Sequence, residues 1–398
     1  MSSSEINSAR RLRRFTEPQL LGAIGFTAIS LTVIFGYAVE HFIDWDFSFF
    51  RGWQYWVALA LSVLIWLPTY CMLKNLKLET GTLYYLRLQP ATFTPLHDPT
   101  VTLYSEAARD FRAVRRVFRP PVASQSVVDI VDVTSEVFAE FERSTNDDDD
   151  TTLFSVAPDL PWPAAVRLGF DWTARKVVWL TESDATQPDA KVTNWSFDRL
   201  VRPLPAADSC PFLRVEEYEL PSSPNPVKRV KLALFATAKP DELARSLQGL
   251  SPADSGYDRT RVVFGIKPQM QDLNGQQVVV DGEWEETRLR LADRKATADD
   301  PAGYSVDGNE LVRGLCAHIH DAFRDFPDAT IDITAQIPKT VAFALGLALG
   351  YYPTSDGPRA NLAPLWTRAR LLHFLGQGQF RPMLVHPIQA RAAGTAAT

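Results

Sequence analysis

The sequence has few of the residues from which catalytic and metal sites are built: six histidines and three cysteines in 398 residues. Cys71, Cys210 and Cys316 are far apart and odd in number. They form neither a CxxC pair nor a disulfide framework, and a reducing compartment suits them. His318 and His320 are a close pair, but residues two apart on a helix point to different faces and make a poor metal site. There is no GxSxG, no P-loop and no HExxH. Gly376 and Gly378 give only half of a GxGxxG motif, and the run Asp147 to Asp150 lacks the alternating spacing of a calcium loop. A basic excess is missing too. With net charge −6 and pI near 5.6, a surface that coats duplex nucleic acid is excluded. The expectation is a protein with no catalytic residues, no metal site and no cofactor, not an enzyme.

Charge is also absent from two long runs near the N-terminus. Residues Pro18 to Val39 and Gly52 to Leu73 carry none, and each run has about the 20 residues that a spanning helix needs. Arg10, Arg11, Arg13 and Arg14 precede the first run and Lys74 and Lys77 follow the second, while the loop between holds Glu40, Asp44 and Asp46 against Arg51. By the positive-inside rule both termini are cytoplasmic. Trp45, Phe47, Phe49, Phe50, Trp53, Tyr55 and Trp56 would form an aromatic belt. Residues 1–80 are therefore expected to form a two-helix transmembrane hairpin, with spans at about 18–40 and 52–73. Gly25, Ala28, Thr32 and Gly36 would allow close helix packing, and a passive anchor explains the hairpin as well.

What the chain does have is a repeated strand–loop–helix unit. In TIDITAQIPKTVAFALGLALGYY, Ile331, Ile333 and Ala335 alternate with Asp332 and Thr334, as in a strand. Val341, Ala344, Leu345, Ala348 and Leu349 then recur at helical spacing after Pro338. Phe343 and Leu347 make this helix apolar nearly all round, and it is too short for a bilayer, so a buried helix is expected. Strand, tight loop and buried helix is a Rossmann-type half-unit. TLFSVAPDLPWPAAVRLGFD repeats it: Thr152 matches Thr330 and Ala157 matches Ala335 at an offset of 178. A one-residue slip in the loop then pairs Ala165 with Ala342, Leu168 with Leu345 and Gly169 with Gly346. The fold class expected is α/β, a transmembrane hairpin followed by a pseudo-symmetric pair of Rossmann-like units, 81–205 and 206–388, with a disordered tail at 389–398.

The remaining pattern predicts a helix with a basic face over 103–118, a strand at 127–133, and a helix from Glu136 to Arg143 capped by Thr134 or Ser135. Strands are expected at 176–181, 230–236, 262–266 and 277–280. Helices are expected at 241–250, 309–326 and 365–375.

Binding is better supported than catalysis. A loop from strand end to helix start offers free N–H groups at the positive end of the helix dipole, which suits phosphate. Gln336, Lys339 and Thr340 stand there in the second copy, and Thr237 and Lys239 end a neighbouring strand. The first copy offers Trp162 as a stacking platform, with Thr134 and Ser135 offering hydroxyls nearby. Taken singly, Lys339 is equally a surface lysine, Trp162 a packing residue and Ser135 a cap. Their convergence on one topological position makes them ligand candidates.

The duplicated half-unit, the TAQIPKTVAFALGLALG stretch and the two apolar runs resemble a SAVED-domain protein, whose sensor fuses two CARF-like units. The resemblance covers roughly residues 100–375. It implies a receptor and effector for a cyclic oligonucleotide, most simply a cyclic trinucleotide, in a bacterial anti-phage system. Ligand binding would drive self-association into oligomers, with the hairpins meeting membrane lipid and disrupting the inner membrane. Localisation would be the bacterial inner membrane, multi-pass. The site would comprise the loops at Thr134 to Glu136, Pro158 to Trp162, Thr237 to Lys239 and Gln336 to Thr340. Asp159, where a base would be expected, departs from the pattern. The alternative is a membrane-anchored α/β enzyme that hydrolyses a nucleotide ligand.

Overall fold

The computed structural model describes residues 82–90, 101, 104, 110–118, 127–147, 154–172, 177–183, 192–198, 210–219, 226–237, 256–273, 276–287, 289–291, 304–351, 363–374 and 380–389. The strands are β1 (Thr82–Pro90), β2 (Asp110–Phe118), β3 (Val128–Asp129), β4 (Phe154–Asp159), β5 (Val177–Ser183), β6 (Val192–Asp198), β7 (Leu213–Glu219) and β8 (Arg229–Phe235). They continue with β9 (Arg259–Leu273), β10 (Gln276–Glu286), β11 (Leu289–Leu291), β12 (Tyr304–Val306), β13 (Thr330–Ala335), β14 (Ala369–Phe374) and β15 (Phe380–Leu384). The helices are α1 (Val131–Asn146), α2 (Trp162–Asp171), α3 (Gly308–Asp325), α4 (Lys339–Tyr351) and α5 (Ala363–Arg368).

Strand order is β2-β1-β4-β5-β6 in one sheet and β10-β9-β8-β13-β14-β15-β3 in the other, where β7 also pairs with β9. The two orders share one plan. In the first sheet β1 runs parallel to β2 and β4, β4 parallel to β5, and β5 antiparallel to β6. In the second, β8 runs parallel to β9 and β13, β13 parallel to β14, and β14 antiparallel to β15. The repeat read from the sequence at β4–α2 and β13–α4 is thus the centre of a larger five-strand correspondence. The result is a mixed α/β fold with parallel sheet centres.

The helices α2 and α4 join the halves. A methyl group added at Gly169 would overlap the Phe343 carbonyl and lie 3.0 Å from the Leu347 nitrogen. One added at Gly346 would overlap the Val166 carbonyl and lie 2.9 Å from the Phe170 nitrogen. Shifted by the helical offset of 177, Gly169 becomes Gly346 and Val166 becomes Phe343. The contact is therefore isologous: each copy presents the same glycine to the same carbonyl of the other. Only an absent Cβ lets two helix backbones come this close. Around the crossing one apolar core takes Leu86, Val156 and Leu180 from the first sheet with Leu232, Ile333 and Leu371 from the second.

Several sequence expectations change. The stretch 110–118 is strand β2: Val114 and Phe118 are buried while Ala113, Arg115 and Val117 are exposed, and parallel pairing with β1 overrides the three-to-four spacing that predicted a helix. α1 begins at Val131, before the expected cap, with the Asp129 carboxylate accepting from the Val131 N–H at 3.0 Å. Residues 369–374 are strand β14, because β13 offers them a parallel partner. Gln389, assigned to the tail, is buried and bonds the Val385 and His386 N–H groups and the Ala369 carbonyl. The expected spans at 18–40 and 52–73 and the helix at 241–250 lie outside the described residues. No helix among the described residues is long and apolar enough to cross a membrane. That finding overturns the expected inner-membrane localisation.

Candidate functional site

The carboxyl ends of β4, β5, β8 and β13 bring chemistry together, as strand ends do in open α/β sheets. The sharp turn after β13 is fixed by backbone bonds: Gln336 N–H donates to the Leu234 carbonyl at 2.8 Å, and Ala342 N–H to the Pro338 carbonyl at 2.9 Å. The equivalent bond in the other copy runs from Ala165 N–H to the Pro161 carbonyl at 3.0 Å. Both helices thus start one residue after a proline. Trp162 and Lys339 occupy the same first position.

That shared position carries opposite chemistry in the two copies. Lys339 is half exposed and pairs with Asp159, at the end of β4 in the other half. Asp159 also accepts from the Tyr85 hydroxyl at 2.9 Å and lies 3.6 Å from the Arg87 guanidinium. Burial first, then the Asp159 charge, pushes the Tyr85 hydroxyl far above its ordinary value. Next to Lys339, the Thr340 hydroxyl donates to the Glu182 carboxylate of β5 at 3.1 Å. His373 of β14 completes the surroundings: burial, with the Lys339 charge adding to it, lowers its pKa to about 4. Trp162 instead is buried, its indole N–H donating to the Leu372 carbonyl of β14 at 3.1 Å. Each helix start therefore reaches into the opposite half.

Of the eight residues proposed from the sequence, Gln336, Lys339, Thr340 and Thr237 gather at this point. The Thr237 hydroxyl donates to the Gln336 carbonyl at 3.0 Å. Trp162 belongs to the same crossing but is packed in the core. Thr134 and Ser135 lie on α1, the Thr134 side chain buried and the Ser135 hydroxyl bonded to the Val131 carbonyl at 2.8 Å. Lys239 lies outside the described residues.

Sequence reasoning missed Arg87, Tyr85, Glu182 and His373. The available signal was Asp159: a carboxylate at a strand end opposite Lys339 calls for other donors around it. For metals, no group of three or more His, Cys, Asp or Glu among the described residues is placed to hold an ion.

No family model matches the sequence, and no curated protein matches it. Solved structures of the Acinetobacter baumannii Cap4 SAVED/CARF-domain containing receptor are similar. The form with the cyclic trinucleotide 2'3'3'-cAAA has a TM-score of 0.37 at 9% identity, covering 83% of this chain and 55% of that one. The form with 3'3'3'-cAAA has a TM-score of 0.33 at 11% identity, covering 63% and 41%. A third, described without ligand, has a TM-score of 0.30 at 11% identity, covering 63% and 39%. The chain thus spans about half or less of those receptors' length. The similarity is to SAVED/CARF-domain receptors over part of their length.

Proposed function

We propose that the chain is a receptor for a cyclic oligonucleotide, with a cyclic trinucleotide the first to test. Its two CARF-like units, 81–205 and 206–388, take the ligand across the strand ends around Lys339. The observation that carries this reading is the Lys339–Asp159 pair between equivalent ends of a duplicated unit. A half-exposed ion pair of this kind stabilises little, about 0–1 kcal/mol, so a phosphate can replace the Asp159 carboxylate at low cost. Lys339 sits on the first turn of α4, where the helix dipole also favours an anion. A cyclic oligonucleotide repeats one phosphate-and-base unit around a ring, which matches a site built from two like loops. The sequence resemblance to SAVED-domain proteins supports the same ligand class.

The reading is of a receptor without turnover. Asp159 and Glu182, the carboxylates at the strand ends, are held by Tyr85, Arg87, Lys339 and Thr340. Ligand that exchanges with Asp159 also releases a tie between the halves, and self-association follows from the surfaces this repositions. The test is titration of the full-length chain with cyclic di-, tri- and tetranucleotides, read by calorimetry and light scattering, with the nucleotide recovered afterwards. Saturable binding of one member, larger particles and intact nucleotide are expected. No binding by any member refutes the receptor reading, and recovery of a cleaved nucleotide refutes the absence of turnover.

A further inference from the structure

On the face of the second sheet opposite α4, positive charge exceeds negative. Register places Lys231, Asp332 and Arg370 side by side on β8, β13 and β14, with Thr260 of β9 next to Lys231. Asp332 is fully buried, and both its oxygens are taken. Arg370 donates to them through Nε and an Nη, each at 2.6 Å, Arg229 at 3.0 Å and the Tyr257 hydroxyl at 2.6 Å. One carboxylate therefore answers three cations: Arg229, Lys231 and Arg370. The nearby Asp258 carboxylate accepts from the Lys228 and Arg229 N–H groups at 2.7 and 2.9 Å.

The donors left over point to what is missing. Lys231 is 6% exposed, and its ammonium lies 5.5 Å from the centres of both the Tyr257 and Phe380 rings. Among the described residues it has no hydrogen-bond acceptor. The Thr260 hydroxyl beside it is fully buried and has no partner, and neither does the buried Arg229 Nε. Buried donors without acceptors are costly, and two of them beside the Lys231 ammonium and a surplus of charge make an unusual place to leave dry. The aromatic rings answer part of the Lys231 charge but accept no ordinary hydrogen bond from it.

We propose that Lys231, Thr260 and Arg229 hold a small phosphate-type oxyanion, with the half-exposed Arg370 at its rim. An oxyanion supplies the lacking acceptors to an ammonium, a hydroxyl and a guanidinium at once, and its charge offsets the surplus. The site is distinct from the Lys339 cluster: Asp332 lies four residues before Gln336, about 13 Å along the strand, and on the opposite face from α4. The anion is either free phosphate or the phosphate of a mononucleotide.

The experiment is thermal unfolding of the full-length chain in inorganic phosphate against sodium chloride at matched ionic strength, repeated with adenosine monophosphate. A saturable rise in midpoint above the chloride control is expected with inorganic phosphate. The same rise with the nucleotide places the site on a nucleotide phosphate as well; its absence restricts the site to the free ion. Lys231→Met keeps the bulk between the two rings and all bonds to Asp332, and should weaken the phosphate affinity by about tenfold or more. Thr260→Val, close in volume, gives a second and independent loss should Lys231→Met fail to fold. No rise over chloride in the wild type overturns the proposal, as does an undiminished rise in both variants. So does loss of the response in Lys339→Ala with retention in Lys231→Met, which would assign the anion to the strand ends.

Discussion

The crossing of α2 and α4 makes a sharp prediction because two glycines answer to one separation. In Gly346→Ala the new methyl overlaps the Val166 carbonyl and lies 2.8 Å from its carbon, where ordinary contact begins at 3.4 Å. The opposing atoms are backbone, and clearing the carbonyl oxygen parts the helices by roughly one ångström or more, losing about half of the facing dispersion contacts. A displacement this large lies in the upper part of the overpacking range, about 2–3 kcal/mol. The better helix propensity of alanine returns about 1 kcal/mol. Gly346→Ala and Gly169→Ala should therefore each destabilise by about 1–2 kcal/mol. In the double variant the parting is made once while the propensity gain is collected twice. It should be no less stable than either single variant, with a coupling of about 2 kcal/mol. Urea unfolding followed by tryptophan fluorescence measures this, since Trp172 packs 5.9 Å from the Phe343 ring at the crossing. A double variant whose cost equals the sum of the singles would refute the shared displacement, and with it the isologous crossing.

Other variants probe the strand ends and the buried charges. Lys339→Ala should weaken cyclic oligonucleotide binding by roughly ten- to hundredfold, the loss of one charge-assisted bond, as read by calorimetry. Asp159→Asn should tighten it by about two- to fivefold, because the ligand phosphate no longer competes with a carboxylate. Asp332→Ala should destabilise by about 3 kcal/mol in a denaturant series, because it leaves Arg370, Arg229 and Lys231 together without their counter-ion. Acid should destabilise the fold through His373 and His386, both lowered to about 4 by burial. Their unfolded forms take up protons near pH 6.5 and their folded forms do not, so stability is intact above pH 6.5 and falls as pH drops toward 4. A denaturation series across that window should show the loss, and His373→Phe should reduce it to the part that His386 carries.

The centre of each half was legible in the sequence because its helices are buried on most sides and its strands alternate, so pattern and burial agree. The pairing of Gly169 with Gly346 was visible as a match between copies, although the close backbone approach it permits was not. β2 was misread because Phe111, Val114 and Phe118 satisfy a helical spacing as well as a strand, and pairing with β1 decides between them. β14 was misread for a related reason, since Leu371 and Leu372 fit a helix until β13 supplies a neighbour. In the site, Lys339 and Thr340 followed from topology alone. Tyr85, Arg87 and Glu182 did not, because their approach depends on how two halves meet, which no local pattern records.

The two-residue strand β3 has a consequence for how the chain is made. It lies between the strands of the first sheet in sequence, yet it lines the edge of the second by pairing with β15, and Ile130 N–H reaches the Leu384 carbonyl at 3.0 Å. Its partner is translated roughly 250 residues later. On the ribosome, the outer edge of β14 stays open until the last strand has emerged, and only then can β3 close over β15. A chain that stops short of Phe380 leaves β14 paired only with β13 and β3 with no partner, so truncated products should expose a bare edge and be marked for aggregation or proteolysis.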